Sequence, residues 1–136
     1  LLSIALGASL RALGTGDYIA ALAAGTLPPM AVPAILFLAA GLTSFMTGTS
    51  WGTYGILVPI AMPLAQALGI PPSLALAAVL GGGVFGDHCS PISDTTLIAS
   101  VAAGTDHLSH VRTQMPYAVV AALIAGVMYL IAGLLV

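Results

Sequence analysis

The sequence predicts an all-α integral membrane protein, and two of its features support that fold class. Hydrophobic residues make up 60% of the 136 residues and charged residues only 4%, against roughly 25% charged in soluble domains. Two short polar runs, residues 47–55 and 86–96, interrupt otherwise apolar stretches. A soluble domain needs a charged surface, which this chain cannot provide. The abundance of Ala, Leu and Gly favours helices over membrane-spanning strands.

Charge, cysteine content and the first residues each limit what kind of protein this chain can be. Two arginines and four aspartates carry all the charge, and the formal net charge of −2 gives no reason to expect a nucleic-acid partner. The single Cys89 cannot form an internal disulfide. The chain begins at Leu1 within an apolar run that lacks the basic start of a signal peptide. We therefore expect it to be a fragment of a longer protein.

Short apolar helices are predicted near the start of the chain. Residues 1–13 are apolar but shorter than the about 20 residues that a spanning helix needs. Residues 14–17 read as a turn, in which Asp17 is a candidate N-cap for a helix over residues 18–24. A stronger apolar helix is predicted to follow from residue 30.

Residues 30–68 are predicted to form a re-entrant helical hairpin. Its second arm, residues 56–68, would be only about 20 Å long and contains Pro59 and Pro63. Hydrocarbon cannot solvate non-helical backbone, so the break at residues 47–55 requires surrounding protein or water. Two tilted spans are the alternative to a hairpin.

The second half of the chain is predicted to contain a discontinuous transmembrane helix and a continuous one. The first covers residues 73–103, with Ser73 as its N-cap and residues 86–96 as its central break. An aqueous loop is predicted at residues 104–110. The last span is predicted over residues 111–136.

Two aspartates of the second break are the candidate proton- and cation-coupling residues. Asp87 and Asp94 lie far from either end of the predicted span, where an ionisable side chain costs several kcal/mol and indicates function. A buried carboxylate without a basic partner favours its protonated form, whereas a bound cation favours its ionised form. Such a site could hold either a proton or a cation. A solvated loop between two short helices is the alternative.

Further oxygen ligands are available in both breaks. Paired broken helices form ion sites near the bilayer midplane, and hard cations such as Na⁺ take oxygen ligands. We predict Na⁺ contacts at Asp87, Asp94 and Thr49. The other candidate binding residues are Thr47, Gly48, Ser50, Thr53, Ser90, Ser93 and Thr95. The alternative for the first break is a small-residue helix-packing patch or an ordinary loop.

The histidines are given lesser roles. His88 is a candidate accessory residue, but with Cys89 it does not make a zinc site, because adjacent helical residues point apart and structural zinc needs four converging ligands. His107 and His110 are interpreted as interfacial polar residues near a helix start.

One alternative class is an intramembrane serine hydrolase. Residues 48–52 match the pattern G-x-S-x-G, which ordinarily follows a strand, whereas here a helix is predicted before it. Ser50 with His88 would be its catalytic pair. The preferred interpretation remains that the chain is not an enzyme and has no catalytic residues.

The breaks resemble those of the NhaC-type Na⁺/H⁺ antiporter family. The similarity covers about residues 30–120, and its motifs are TGTSWGTYGI followed by PI, GDHCSPISDTT, and DH followed by HVRTQMPY. It implies a secondary active transporter that exchanges a monovalent cation for protons at a midplane site. It further implies two inverted repeats and an elevator-like transport domain, with residues 1–136 as the C-terminal transmembrane repeat.

The resemblance also implies location, partners and an alternative cargo. The expected location is the cell (plasma) membrane, as a multi-pass protein of a prokaryotic inner membrane, with residues 106–112 cytoplasmic. The expected partners are the lipid bilayer, Na⁺ and protons, and the N-terminal repeat of the same transporter, with a homodimer left open. No cofactor is expected. Some family members exchange malate for lactate with Na⁺ and H⁺, so a coupled organic-anion exchanger is the competing transport function.

Overall fold

A computed structural model describes residues 2–24 and 26–136, which form helices connected by short turns and contain no strand. The all-α prediction is therefore confirmed for this part of the chain. The helices are α1 (Leu2–Ala12), α2 (Thr15–Ala24), α3 (Val32–Thr47), α4 (Ser50–Ala67), α5 (Pro72–Cys89), α6 (Asp94–Ala102) and α7 (His107–Leu134), with a 3-10 turn at Pro29–Ala31.

Helix α5 lies at the centre of the structure. It packs most extensively on α3 and also contacts α4 and α7, while α1 and α2 pack on α4. The core combines small residues such as Ala40 and Ala78 with the fully buried ring of Phe37. That ring stacks on Phe85 at 6.0 Å and lies 5.2 Å from Tyr129 between ring centroids.

Glycines on α5 allow its backbone to touch that of α3. A methyl group added at Gly82 would collide with the carbonyl oxygen of Phe37, and one added at Gly86 with that of Gly41. Small residues four apart permit this close approach between helices. The α3–α5 contact brings the C-terminal ends of both helices together, which is where the two breaks begin.

Two described helices are long and apolar enough to cross a membrane. These are the stretch Pro29–Thr47 and the helix His107–Leu134. Only 6% of the apolar window of α7 is buried within the structure, so this helix presents most of its apolar surface outwards. The re-entrant path of residues 30–68 and the inverted repeat remain predictions.

The first break is shorter than the sequence predicted. Helix α3 ends at Thr47, its C-cap Gly48 has φ of +69°, and α4 already begins at Ser50. Thr49 is the N-cap, and its hydroxyl oxygen accepts from the Gly52 N–H at 3.4 Å. The predicted nine-residue break and 13-residue second arm are wrong, because this cap starts a helix of 18 residues that tolerates Pro59 and Pro63.

The second break is also shorter, and is limited to residues 90–93. Helix α5 continues through Asp87 to Cys89, and α6 begins at Asp94. The Ser93 hydroxyl oxygen accepts from the Thr96 N–H at 3.2 Å, which caps α6. The two aspartates therefore lie at helix ends on either side of the break.

Three predicted helix starts are wrong. Helix α2 begins at Thr15, so Asp17 lies in its first turn. Helix α5 begins at Pro72, one residue before Ser73, because proline suits the first helical position. The predicted loop at residues 104–110 ends at Asp106, whose carboxylate accepts from the Ser109 N–H at 3.0 Å and starts α7.

Candidate functional site

The two helix breaks lie against each other. The hydroxyl of Ser90, in the second break, donates to the carbonyl oxygen of Phe45, near the end of α3, at 2.8 Å. A Cβ atom at Gly48 would come within 2.7 Å of the Ile92 carbonyl oxygen, so a larger residue would not fit there. One turn further from the breaks, the Ser44 hydroxyl donates to the Gly83 carbonyl at 2.7 Å. The two breaks are therefore in direct contact, and their role as two walls of one ion site stays a prediction.

Asp87 is the buried acid of this region. Its side chain is 3% exposed and lies in the last turn of α5. Its Oδ1 accepts from the Ser93 hydroxyl at 3.0 Å and its Oδ2 from the Thr95 hydroxyl at 2.5 Å. The two hydroxyl oxygens are 2.9 Å apart. Four oxygens thus converge at the start of α6.

No basic side chain in the described residues forms an ion pair with Asp87. The two arginines of the chain, Arg11 and Arg112, are both exposed. Hydroxyl groups are the hydrogen-bond partners of the carboxylate. A buried charge that lacks a cationic partner is costly unless hydrogen bonds satisfy it.

Asp94 lies in a different environment from Asp87. It is exposed, and as the first residue of α6 it places a negative charge at a helix N-terminus, where the helix dipole stabilises it. Its Oδ1 accepts from the Thr95 N–H at 2.8 Å. Thr95 therefore contacts both aspartates, while the two carboxylates themselves differ in burial.

The hydroxyls of the first break are engaged within their own helices. Thr47 donates to the Thr43 carbonyl at 2.8 Å, and the fully buried Thr53 donates to the Thr49 carbonyl at 3.0 Å. Within the described residues, none of the hydrogen bonds of these threonines reaches Asp87. The predicted cation contact at Thr49 stays a prediction.

His88 and Ser50 are not paired. His88 is exposed, and its Nδ1 lies 2.8 Å from the Val84 carbonyl oxygen, within α5. No hydrogen bond joins it to Ser50 in the part of the chain that the structure describes. Because the helix α3, and not a strand, precedes Ser50, the serine-hydrolase pattern lacks its usual structural context.

The described residues contain no group of three or more His, Cys, Asp or Glu side chains that could hold a metal ion. The Cys89 thiol is free and buried.

Two side chains of the site region, Tyr54 and His107, make contacts that were not predicted from the sequence, where His107 was interpreted only as an interfacial polar residue. The Tyr54 hydroxyl donates to the Leu80 carbonyl at 3.0 Å, and its ring packs directly on Gly83. His107 contacts the carbonyl oxygen of Pro91 within the second break. The sequence carries no local signal for these contacts, because each joins segments at least 16 residues apart.

Asp106 marks the polar end of the site region. Hydrogen bonding from the Ser109 backbone N–H holds the pKa of the Asp106 carboxyl below its usual range, and the Leu108 backbone and His107 contribute in the same direction. The ionised carboxylate is the form that caps α7. This end of α7 is thus stabilised by a negative charge at the helix N-terminus.

The sequence matches the Na⁺/H⁺ antiporter family over residues 1–134. The chain is 45% identical over 122 residues to an uncharacterised protein of Haemophilus influenzae, a match that covers 88% of this chain and 23% of that protein. It is 37% identical over 105 residues to the malate-2H⁺/Na⁺-lactate antiporter of Bacillus subtilis, covering 74% of this chain and 22% of that protein. It is also 37% identical over 92 residues to the Na⁺/H⁺ antiporter NhaC of Alkalihalophilus pseudofirmus, covering 68% and 20%.

The chain therefore spans about a fifth of the length of these three curated relatives, from 20% to 23%. No solved structure matches it. The similarity covers both helix breaks and Asp87, since the family match extends from the first helix to the end of the last. This chain belongs to the NhaC-type Na⁺/H⁺ antiporter family.

Proposed function

We propose that this chain supplies half of a Na⁺/H⁺ exchange site in a longer secondary transporter, and that Asp87 binds the proton and the cation in turn. The observation that carries the proposal is the buried Asp87 carboxylate, which two hydroxyls contact and no arginine neutralises. Asp94 would share this role, since Thr95 joins it to Asp87.

The proton-bound state is accommodated by the hydrogen-bonding capacity of three side chains. When Asp87 is ionised, the Ser93 and Thr95 hydroxyls each donate their single proton to it, and no proton remains between them. When Asp87 is protonated, its O–H can donate to one hydroxyl, which then donates to the other, at their separation of 2.9 Å. That second hydroxyl still donates to the carboxyl group. Adding a proton to Asp87 would therefore complete a ring of hydrogen bonds among the three side chains without moving their heavy atoms.

The cation-bound state would use the same oxygen atoms. Na⁺ requires oxygen ligands, as other hard cations do, and here the Asp87 carboxylate lies beside the Ser93 and Thr95 hydroxyl oxygens. Proton and cation would therefore compete for one group of oxygens, which is the requirement for exchange.

The remaining ligands are proposed to come from the first break and from the N-terminal repeat. The candidates of the first break are Thr47, Gly48, Thr49, Ser50 and Thr53. Support for this assignment comes from the close approach of Gly48 to Ile92 in the second break. We propose a location in the cell membrane, with residues 30–68 as a re-entrant hairpin.

Proton flux in proteoliposomes tests this function. The full-length transporter should release protons when a Na⁺ gradient is imposed, and Asp87→Asn should abolish that flux because the amide cannot exchange a proton. Asp17→Asn is the matched control, since Asp17 is an exposed aspartate in the first turn of α2. Wild-type flux in the Asp87 variant would refute the proposal.

A Na⁺- and H⁺-coupled organic-anion exchanger is the second candidate. The relative named as a malate-2H⁺/Na⁺-lactate antiporter favours it. Uptake of labelled malate or lactate that depends on the Na⁺ gradient would favour this candidate over simple cation exchange.

A further inference from the structure

His107 connects the start of α7 to the second break. Its Nε2 lies 2.7 Å from the carbonyl oxygen of Pro91. A carbonyl oxygen only accepts, so the Nε2 atom carries the proton and donates it. On the other side of the ring, Nδ1 lies 3.4 Å from the Ser100 hydroxyl oxygen, which itself donates to the Leu97 carbonyl at 2.7 Å. One imidazole therefore contacts both the break and α6.

The break is attached to its surroundings at three successive points. Ser90 donates to the Phe45 carbonyl of α3, Pro91 accepts from His107 of α7, and Ser93 donates to Asp87 of α5. Pro91 lies two residues before Ser93, and it has no N–H with which to make a backbone hydrogen bond of its own. The Pro91 carbonyl is the group through which His107 of α7 is hydrogen-bonded to the segment that carries the Ser93 hydroxyl.

We propose that His107 is a positioning residue, which holds the Pro91 carbonyl so that the Ser93 and Thr95 hydroxyls stay on Asp87. It would set the affinity of the site for its cation without touching the cation. The inference rests on the proposed exchange at Asp87. Helix α7 contributes none of the candidate ligands, and the hydrogen bond from His107 to Pro91 would connect this helix to the segment that does.

Two substitutions separate the hydrogen bond from the bulk of the side chain. His107→Leu keeps an apolar side chain and removes the donor, whereas His107→Gln keeps an N–H donor of similar reach. In the full-length transporter, His107→Leu should raise the apparent KM for Na⁺ by about five- to tenfold, the loss expected for one hydrogen bond, with little change in maximal rate. His107→Gln should restore most of the wild-type KM. His110→Leu, one turn along α7, should leave KM unchanged.

A labelling experiment tests the position of the break independently of transport. Cys89 is 5% exposed and adjoins the break, so in a transporter that retains only this cysteine its reaction with a maleimide reports whether the segment has loosened. His107→Leu should accelerate labelling, and His107→Gln and His110→Leu should not.

The outcomes distinguish the two proposals. Unchanged labelling with an unchanged KM in His107→Leu would overturn the positioning role, as would a loss of maximal rate at constant KM. Absence of Na⁺-driven proton flux in the wild type would refute the proposed function, and the labelling comparison would still decide whether His107 holds the break.

Discussion

The Thr95 hydroxyl lies 2.5 Å from Oδ2 of Asp87, and the backbone N–H of the same residue donates to Asp94. This one residue joins the buried carboxylate of α5 to the exposed carboxylate of α6. It also places the second hydroxyl at the acid, beside that of Ser93. The local environment of Asp87 is therefore made by the first turn of α6.

The Thr95 hydroxyl should contribute to cation affinity. We expect Thr95→Val, which keeps the shape and removes the oxygen, to raise the apparent KM for Na⁺ by about tenfold or more, as the loss of a hydrogen bond to a charged group implies. Thr95→Ser keeps the hydroxyl and should remain within about twofold of wild type. The measurement is Na⁺-dependent proton flux at varied Na⁺ in proteoliposomes. Equal KM values for Val and Ser would show that the hydroxyl is not used.

Asp94 should be required for exchange although it is exposed. We expect Asp94→Asn to abolish Na⁺-driven proton movement in vesicles, because the proposal gives both aspartates a share of the proton and the cation. The exposed Asp17 serves again as the control position. A wild-type rate for Asp94→Asn would remove Asp94 from the mechanism and leave its role as a favourable charge at the start of α6.

The close approach of α3 and α5 should be sensitive to one methyl group. Gly86→Ala places a Cβ atom against the Gly41 carbonyl oxygen, and we expect a loss of about 1–3 kcal/mol of stability from overpacking. Gly126→Ala in α7 is the matched control, since its Cβ would meet only the Phe37 ring at 4.0 Å and alanine favours the helix.

The two variants are compared by thermal unfolding of the purified transporter in detergent, with the fraction of protein that stays monodisperse as the readout. Gly86→Ala should unfold at a clearly lower temperature than Gly126→Ala. Equal midpoints would mean that the two helices can separate without cost at this position.

Asp106 should make the start of α7 sensitive to acid. Because its pKa is lowered in the folded protein by the Ser109 hydrogen bond, its stabilising effect is complete above the ordinary Asp pKa of about 3.9. That effect is lost as the pH falls through the lowered folded value. Amide hydrogen exchange of Ser109 and His110 should therefore become faster at low pH relative to the middle of α7.

Two variants at position 106 check this explanation. Asp106→Ala should give the faster exchange at neutral pH as well, because the acceptor is gone. Asp106→Asn keeps a good N-cap and should remove the acid dependence. Acid-dependent exchange that persists in Asp106→Asn would assign the effect to another group.

Sequence reasoning located the polar breaks but overestimated their length. Gly48 and the cap at Thr49 are local signals for the end of α3 and the start of α4. The glycines of residues 48–55 hide the fact that residues 50–55 are helical, in a helix that packs against α5 and α1. The same error applied to Asp87, which looked like part of a loop and lies in the last helical turn of α5. Capping hydrogen bonds, unlike residue type alone, decide where a helix resumes.

The sequence by itself determined that the chain is helical and apolar, that its acids are few, and that Asp87 and Asp94 belong to one polar, serine- and proline-containing run. Those conclusions depend on composition and on local spacing. Only the tertiary structure decided that Asp87 is buried and Asp94 exposed, that Ser90 reaches Phe45, and that His107 holds Pro91. Each of these is a property of contacts between segments distant in the chain. The packing of α3, α5 and α7 brings those segments together, and no local pattern encodes it.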